Sequence, residues 1–189
     1  DVERSRGLGD VYKRQREDLS RLPDGSFSAT GYLDSDGISD DPVPITVNIT
    51  KERSEVIVDF SGSSPQVEGP FNCSLSSVYS AVYAGVRYMV SPLIMQNEGC
   101  YRPIQVVRPE GTIVNPRRPA PISGRFTTLE RIADTIVLAF NTIRGDDQVA
   151  SGVACVCSFA VDGVESRSGR PFVCFEIFGG GWGATAEGD

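Results

Sequence analysis

Histidine is absent from all 189 residues of this chain. The usual general base of enzymes and the commonest metal ligand are therefore both missing. Without histidine, these residues alone cannot form the Ser-His or Cys-His pair of a nucleophilic enzyme. We assign no metal ligand to this chain, and a metal held through histidine would lie outside these residues.

Long apolar runs are missing as well. No stretch approaches the roughly eighteen consecutive apolar residues that a membrane-spanning helix requires, and the first residues show no apolar core of a secretion signal. The net charge of −7 disfavours nucleic acid and anionic membranes as partners, because both repel an acidic protein. The sequence therefore predicts neither a nucleic-acid-binding nor a membrane protein.

The five cysteines show no pattern that would define a disulfide framework. Their number is odd, and no two form a Cys-x-x-Cys pair. Cys155 and Cys157 would share one face of a strand, too close in sequence for an ordinary disulfide. We predict free thiols in a reducing compartment and hence a cytoplasmic protein. The five are Cys73, Cys100, Cys155, Cys157 and Cys174.

Apolar residues recur with two different periods in the first half of the chain. Alternation predicts strands over 45–49 and 56–60, joined as an antiparallel hairpin. From Leu75 the apolar residues recur at helical spacing. Asn72 or Ser74 is available as the N-cap of this helix.

A second helix is predicted over 128–143. Thr127 and Glu130 have the spacing of a capping box ahead of an apolar stripe, and Gly145 is a candidate for a left-handed C-terminal cap. Shorter strands are predicted over 104–107, 112–115, 153–161 and 172–178.

The order of these elements predicts an α/β fold, with a mixed α+β fold as the alternative. We expect antiparallel hairpins and two amphipathic helices to pack on a mixed sheet. Residues 16–42 are polar and typical of a loop, although Phe27, Ala29 and Gly31 could start a short strand. Residues 1–15 show no sustained period, so we expect a non-native cloning scar or a disordered tail. We expect residues 16–189 to form a partial domain that is truncated at both ends.

Two loops are not explained by secondary-structure patterning. They are Asn97-Glu98-Gly99-Cys100-Tyr101-Arg102-Pro103-Ile104 and Asp59-Phe60-Ser61-Gly62-Ser63-Ser64-Pro65-Gln66-Val67. Both place polar groups, glycine and proline in short segments of fixed shape. Together they resemble the hydantoinase B family: the B-type subunit of ATP-dependent N-methylhydantoinases and the C-terminal half of 5-oxoprolinases. The resemblance runs in order from about Gly31 to Gly183, and related subunits occur in acetone and acetophenone carboxylases.

The resemblance implies ATP-dependent hydrolysis of a cyclic amide, a hydantoin or 5-oxoproline. An A-type partner subunit would use ATP and Mg²⁺ to phosphorylate the ring carbonyl oxygen, and the B-type chain would help to bind and open the activated ring. A metal is possible in a more N-terminal part of such a subunit. Two alternatives stay open: ATP-dependent carboxylation of a ketone, and a non-catalytic scaffold for subunit docking.

Three carboxylates are candidate catalytic residues. Asp59 ends a predicted strand, where scaffolds present polar groups to ligands, although it could equally cap a turn. Glu98 matches the family's Asn-Glu-Gly-Cys segment and could act as a base or satisfy backbone donors. Glu176 lies in an otherwise apolar strand, where burial is costly unless the carboxylate is paired.

Three further residues are candidates for substrate binding. Asn72 resembles the last position of the family's Gly-Pro-x-Asn segment and starts a helix, whose N–H groups favour an anion. Asn97 belongs to the Asn-Glu-Gly-Cys segment. Arg125 could pair with a substrate carboxylate, or it could be a solvated loop arginine. Many relatives have Gly-Gly-Asn here, so this position leaves the substrate class open.

The glycine run over 179–181 resembles a phosphate loop only loosely. It lacks the lysine and the spacing of that motif. We therefore assign no cofactor to this chain, and the family resemblance implies that the A-type partner binds ATP.

Overall fold

The computed structural model describes residues 2–90, 93–143, 145, 148–181 and 183–184. Six strands and four helices have bounds within these ranges. In chain order they are α1 (Val2–Arg21), β1 (Gly25–Leu33), β2 (Val43–Glu52), β3 (Glu55–Asp59), α2 (Leu75–Arg87), α3 (Glu98–Tyr101), β4 (Ile104–Val107), α4 (Arg125–Asn141), β5 (Cys157–Val164) and β6 (Pro171–Phe178).

A four-stranded mixed sheet carries the core, in the order β1-β2-β3-β4. The β1–β2 and β2–β3 pairs are antiparallel, whereas β3 and β4 are parallel. On β2, Ile45, Val47 and Ile49 are buried and the residues between them are half-buried. This alternation confirms the predicted hairpin, because residues two apart on a strand face the same side of the sheet.

Helices α2 and α4 pack together over the sheet. β3, α2 and β4 form a parallel β-α-β unit, since parallel strands require a crossover connection. Gly85 of α2 lies so close to α4 that a Cβ there would stand 2.8 Å from the Ile136 Cβ. The predicted arrangement of two amphipathic helices on a mixed sheet is therefore confirmed.

The N-terminal residues differ from the prediction. Residues 2–21 form α1, where we expected a scar or disordered tail followed by loop. Val11, Gln15 and Leu19 are buried at intervals of four, the spacing of one helix face. Only two of these three residues are apolar, so the period was too weak to detect from the sequence. The cloning origin of residues 1–15 and the proposed domain limits stay predictions.

Two local predictions in the middle of the chain are wrong. Helix α4 begins at Arg125, and its N-cap is Gly124 rather than Thr127. Gly124 holds this position because its N–H donates to the Pro70 carbonyl at 2.9 Å. Residues 112–115 form a tight turn with isolated bridges instead of a second strand.

Strands β5 and β6 form a separate antiparallel hairpin. The prediction of two joined strands is correct, although β5 begins at Cys157 rather than near Val153. Apolar side chains on both faces of this hairpin are exposed, and Phe159 stacks on Phe178 with ring centres 5.3 Å apart.

Candidate functional site

Asp59 lies where the carboxyl ends of the two parallel strands meet. It is in register with Val107, the last residue of β4. In open α/β sheets, ligands bind in the crevice outside the carboxyl ends of parallel strands. The Asp59 Oδ1 accepts the Ser61 N–H at 2.8 Å, so this half-buried carboxylate also holds the turn that follows β3. We call the segments that follow β3 and β4 and lead into α2 and α4, residues 59–74 and 108–125, the carboxyl edge.

Backbone hydrogen bonds join two loops at the carboxyl edge. The Ile113 N–H donates to the Ser64 carbonyl at 3.0 Å, and the Gln66 N–H donates to the Gly111 carbonyl at 2.9 Å. The Cys73 N–H donates to the Ile113 carbonyl at 2.7 Å. Backbone pairing of this kind gives irregular segments a fixed shape, so Asp59 is presented on a firm support.

Asn72 is a fully buried bridge within these loops. Its Oδ1 accepts the Val67 N–H at 2.9 Å. Its Nδ2 lies within hydrogen-bond distance of three carbonyl oxygens, those of Val67, Gly69 and Pro121. The N-cap of α2 is Ser74 and not Asn72. Because backbone groups occupy both ends of its amide, the structure places Asn72 as a support of the carboxyl edge.

Arg125 starts α4 beside the N-terminal end of α2. Its carbonyl oxygen lies 4.0 Å from the Cys73 Sγ. The guanidinium carbon stands 4.5 Å from the Phe126 ring centre, and its Nη1 donates to the Ile122 carbonyl at 3.4 Å. The guanidinium is thus held by a cation–π contact and one long hydrogen bond. Burial raises the pKa of the neighbouring Cys73 thiol to about 12, so this cysteine stays neutral.

Asp36 ties a third loop to the same edge. Its carboxylate accepts the N–H groups of Ile38 and Ser39 at 2.9 and 2.7 Å, and that of Gly69 at 3.1 Å. These bonds lower the pKa of Asp36, those to Ser39 and Ile38 most strongly. A Cβ on Gly69 would stand 1.5 Å from the Asp36 carbonyl oxygen, so this close approach requires glycine.

Arg108 is a candidate that the sequence interpretation missed. It follows β4 directly, and its guanidinium carbon lies 5.5 Å from the Tyr79 ring centre. Its Nε is buried without a hydrogen-bond partner among the described residues. A buried cationic donor of this kind is suited to an anionic group. Its position directly after a predicted strand was the available signal.

Asn97 and Glu98 lie at the opposite end of α2. The Asn97 Oδ1 accepts the Gly99 N–H at 2.9 Å as the N-cap of α3, whereas Glu98 is exposed. Tyr101 stacks on Tyr83 near the end of α2, with ring centres 4.0 Å apart. Since α2 has thirteen residues, its length of about 20 Å separates this motif from Asn72.

Glu176 lies on the separate hairpin. Glu176 is on β6, opposite Phe159 of β5, and its side chain is exposed. The expectation of a costly buried carboxylate is therefore wrong. The structure therefore gathers Asp59, Asn72 and Arg125 at the carboxyl edge. Asn97 and Glu98 lie together at a second surface, and Glu176 lies at a third.

The glycine run over 179–181 is partly paired with another segment of this chain. A Cβ on Gly180 would stand 2.1 Å from the Val153 Cγ1. The Val153 N–H donates to the Gly181 carbonyl at 3.0 Å. Gly180 and Gly181 thus contact the segment around Val153, whereas nothing lies within 4 Å of a Cβ placed on Gly179 or Gly181. Among the described residues, no three His, Cys, Asp or Glu side chains gather as a possible metal site.

The carboxylate of Asp59, two arginines and the N-terminal ends of α2 and α4 lie around the ends of the parallel strands of this α+β domain, where open α/β sheets bind ligands. The chain belongs to the hydantoinase B/oxoprolinase family, whose sequence model matches residues 8–189. It is 34% identical over 182 residues to the B-type subunit of a putative D-/L-hydantoinase from Pseudomonas sp. (strain NS671). That match covers 90% of this chain and 30% of the relative.

Two solved structures share the fold. The ATP-dependent caprolactamase of Pseudomonas jessenii matches with a TM-score of 0.75 and 26% identity, over 87% of this chain and 29% of that one. Acetone carboxylase matches with a TM-score of 0.73 and 16% identity, over 96% of this chain and 28% of that one. This chain therefore spans about 30% of the length of these relatives. Within the described ranges, no helix is both long and apolar enough to cross a membrane.

Proposed function

We propose that this chain is a segment of the B-type component of an ATP-dependent hydrolase that opens a cyclic amide. The observation that carries the proposal is the family match over residues 8–189. The likeness to a B-type hydantoinase subunit and to an ATP-dependent caprolactamase supports it, because both names describe enzymes of cyclic amides. We propose hydantoin or 5-oxoproline as the substrate, and a cytoplasmic location.

The reaction requires charge stabilisation at the ring carbonyl. The phosphoryl group on the activated carbonyl oxygen carries negative charge, and prearranged donors stabilise that charge while water adds to the ring carbon. The carboxyl edge offers such donors in Arg108 and Arg125, beside two helix N-termini. Its carboxylate, Asp59, is our candidate for the base that takes a proton from the attacking water.

Nucleotide handling falls to another chain in this proposal. We leave ATP and Mg²⁺ to an A-type partner, as the family resemblance implies, and derive no step through them here. Glu98 and Glu176 remain candidate catalytic residues, and Asn97 a candidate substrate contact. They lie on exposed surfaces, where another part of the enzyme could complete a site.

The test uses the B-type protein that carries this chain, combined with its A-type partner. Asp59→Asn keeps an acceptor for the Ser61 N–H but removes the base, so we expect turnover to fall by roughly 100-fold or more. Arg125→Gln should raise KM for a substrate that carries a carboxylate. Glu52→Gln, at the far end of the β2–β3 hairpin, is the matched control and should have no effect.

Unchanged turnover in Asp59→Asn would remove the base from the proposal. A second variant, Glu98→Gln combined with Glu176→Gln, addresses the other two carboxylates. Full activity in that double variant would exclude both as catalytic residues.

A ketone carboxylase is the second candidate reaction. The structural likeness to acetone carboxylase keeps it open, although 16% identity supports the shared fold alone. Product formation that depends on bicarbonate would favour this reaction over ring opening. A docking scaffold is the third candidate, and substrate protection of the amides of residues 97–100 in hydrogen exchange would count against it.

A further inference from the structure

Tyr79 is a half-buried aromatic residue of α2 to which the proposed function gives no role. The guanidinium carbon of Arg108 lies 5.5 Å from the centre of its ring, within the roughly 6 Å at which a cation is attracted to an aromatic face. The Tyr79 ring lies 5.8 Å from the ring of Tyr83, which stacks on Tyr101 with ring centres 4.0 Å apart. Tyr79 is therefore packed at one end of a row of three rings, with Arg108 against it.

The Arg108 side chain has no anionic partner among the described residues. Its Nε is buried without a hydrogen-bond partner, and Arg108 belongs to none of the ion pairs found there. Glu110, the nearest acidic residue along the chain, is paired with Arg117 at 3.6 Å. The Arg108 guanidinium therefore has donors available for the oxygen atoms of an anion.

The backbone fixes the start of this side chain next to Asp59. Asp59 is in register with Val107, the residue before Arg108, and the Phe60 N–H donates to the Val107 carbonyl at 2.9 Å. Neighbouring strands lie about 4.8 Å apart. The Asn115 Nδ2 donates to the Arg108 carbonyl at 3.1 Å and holds the loop that follows β4. The cation and the proposed base thus come from adjacent positions on two parallel strands.

We propose that Tyr79 is a positioning residue that holds the Arg108 guanidinium for the phosphoryl group of the activated ring. This inference rests on the proposed function, in which the ring carbonyl oxygen is phosphorylated before water attacks. The phosphoryl group is attached through that oxygen to the carbon that water attacks, so a cation that binds it must lie close to the base. Arg108 meets this requirement beside Asp59. Because Tyr79 holds the guanidinium before the ligand arrives, less freedom is lost on binding.

Inorganic phosphate is the probe for this site, because it presents the oxygen atoms of a phosphoryl group without ATP or a ring. Calorimetric titration uses the B-type protein that carries this chain, without its A-type partner. Arg108→Gln should weaken phosphate binding by about 10-fold or more, since a charge-assisted contact is lost. Tyr79→Leu should weaken it by about threefold or more, since the guanidinium loses the aromatic face.

Two further variants separate positioning from general damage to the fold. Tyr79→Phe keeps the aromatic face and should keep the unmutated phosphate affinity. Tyr88→Leu is the matched control, because Tyr88 is 57% exposed at the end of α2, and it should also keep the affinity. Equal affinity in Tyr79→Leu and the unmutated protein would overturn the proposal, as would an unmutated protein that does not bind phosphate.

Kinetics of the complex with the A-type partner distinguish a phosphoryl group from a carboxylate of the substrate. The phosphoryl group exists only after activation, so Tyr79→Leu should lower kcat for ring opening and leave KM for the ring unchanged. A raised KM with unchanged kcat would assign Arg108 to a carboxylate of the ring and overturn the proposal.

Failure of this inference is distinguishable from failure of the proposed function, because phosphate binding requires neither ATP nor ring opening. If the complex opens no cyclic amide but phosphate binding still depends on Tyr79 and Arg108, the reaction is wrong and the positioned anion site stands. If a cyclic amide is opened and Tyr79→Leu changes neither phosphate affinity nor kcat, the reaction stands and the role of Tyr79 is wrong.

Discussion

At the scale of single residues, Lys51 is unusual because it is only 1% exposed. Its Nζ donates to the Leu22 carbonyl and to the Asp24 carboxylate. We expect Lys51→Met to lower the free energy of unfolding by about 1–2 kcal/mol, since the Leu22 carbonyl and the Asp24 carboxylate lose their donor. The exposed Lys13→Met should change it by less than about 0.5 kcal/mol. Urea unfolding measures both, and equal effects would contradict this role for Lys51.

Asp36 should make the free energy of unfolding depend on pH in the acid range. Its pKa is held below the ordinary value of 3.8 by four backbone N–H groups, those of Ser39 and Ile38 most strongly. The stabilisation is therefore complete above about pH 4 and is lost as the pH falls through the lowered pKa of the folded state. Asp36→Asn should flatten this acid limb of the stability–pH curve, whereas the exposed Asp40→Asn should leave it unchanged. Parallel curves for Asp36→Asn and the unmutated chain would contradict the assignment.

The sequence located some candidate site residues and could not relate them to one another. Asp59 and Arg125 were found because one ends a strand and the other precedes a helix, and the structure brings both to the carboxyl edge. Asn97 and Glu98 were grouped with them by family resemblance. The distance across α2 is invisible until the β3–α2–β4 unit is assembled, and so is the exposure of Glu176.

At the scale of elements, two helix glycines should respond in opposite ways to alanine. Nothing lies within 4 Å of a Cβ placed on Gly9 of α1, so Gly9→Ala should stabilise the chain by about 0.5–1 kcal/mol. A Cβ on Gly85 would meet Ile136, so Gly85→Ala should destabilise it by about 1–3 kcal/mol. Thermal unfolding compares them, and no change in Gly9→Ala would contradict a folded α1.

Elements with a strong apolar period could be predicted from the sequence. Features that depend on contacts between distant segments could not. The alternation on β2 and the apolar stripe of α4 are dictated locally, so both were found. The start of α4 depends on the bond between Gly124 and Pro70, which joins segments far apart in sequence. Helix α1 has too few apolar residues on its buried face to show a period.

At the scale of the whole molecule, the β5–β6 hairpin carries many of the exposed apolar side chains among the described residues. Val173 is 78% exposed and Ile177 64%. A two-stranded hairpin with exposed apolar faces should bind a hydrophobic dye and promote self-association. Val173→Thr combined with Ile177→Thr keeps the strand propensity and should reduce dye fluorescence. Ile38→Thr, in a loop and 67% exposed, should not, and equal signals from all three proteins would contradict this.

The central claim is that this chain serves the ATP-dependent opening of a cyclic amide. The most direct measurement combines the B-type protein that carries this chain with its A-type partner, and follows ADP release and ring-opened product from hydantoin and 5-oxoproline. We predict that one of these rings opens with ADP release, that both components are required, and that bicarbonate is not. A carboxylated product that depends on bicarbonate, or ring opening without the B-type protein, would contradict the account.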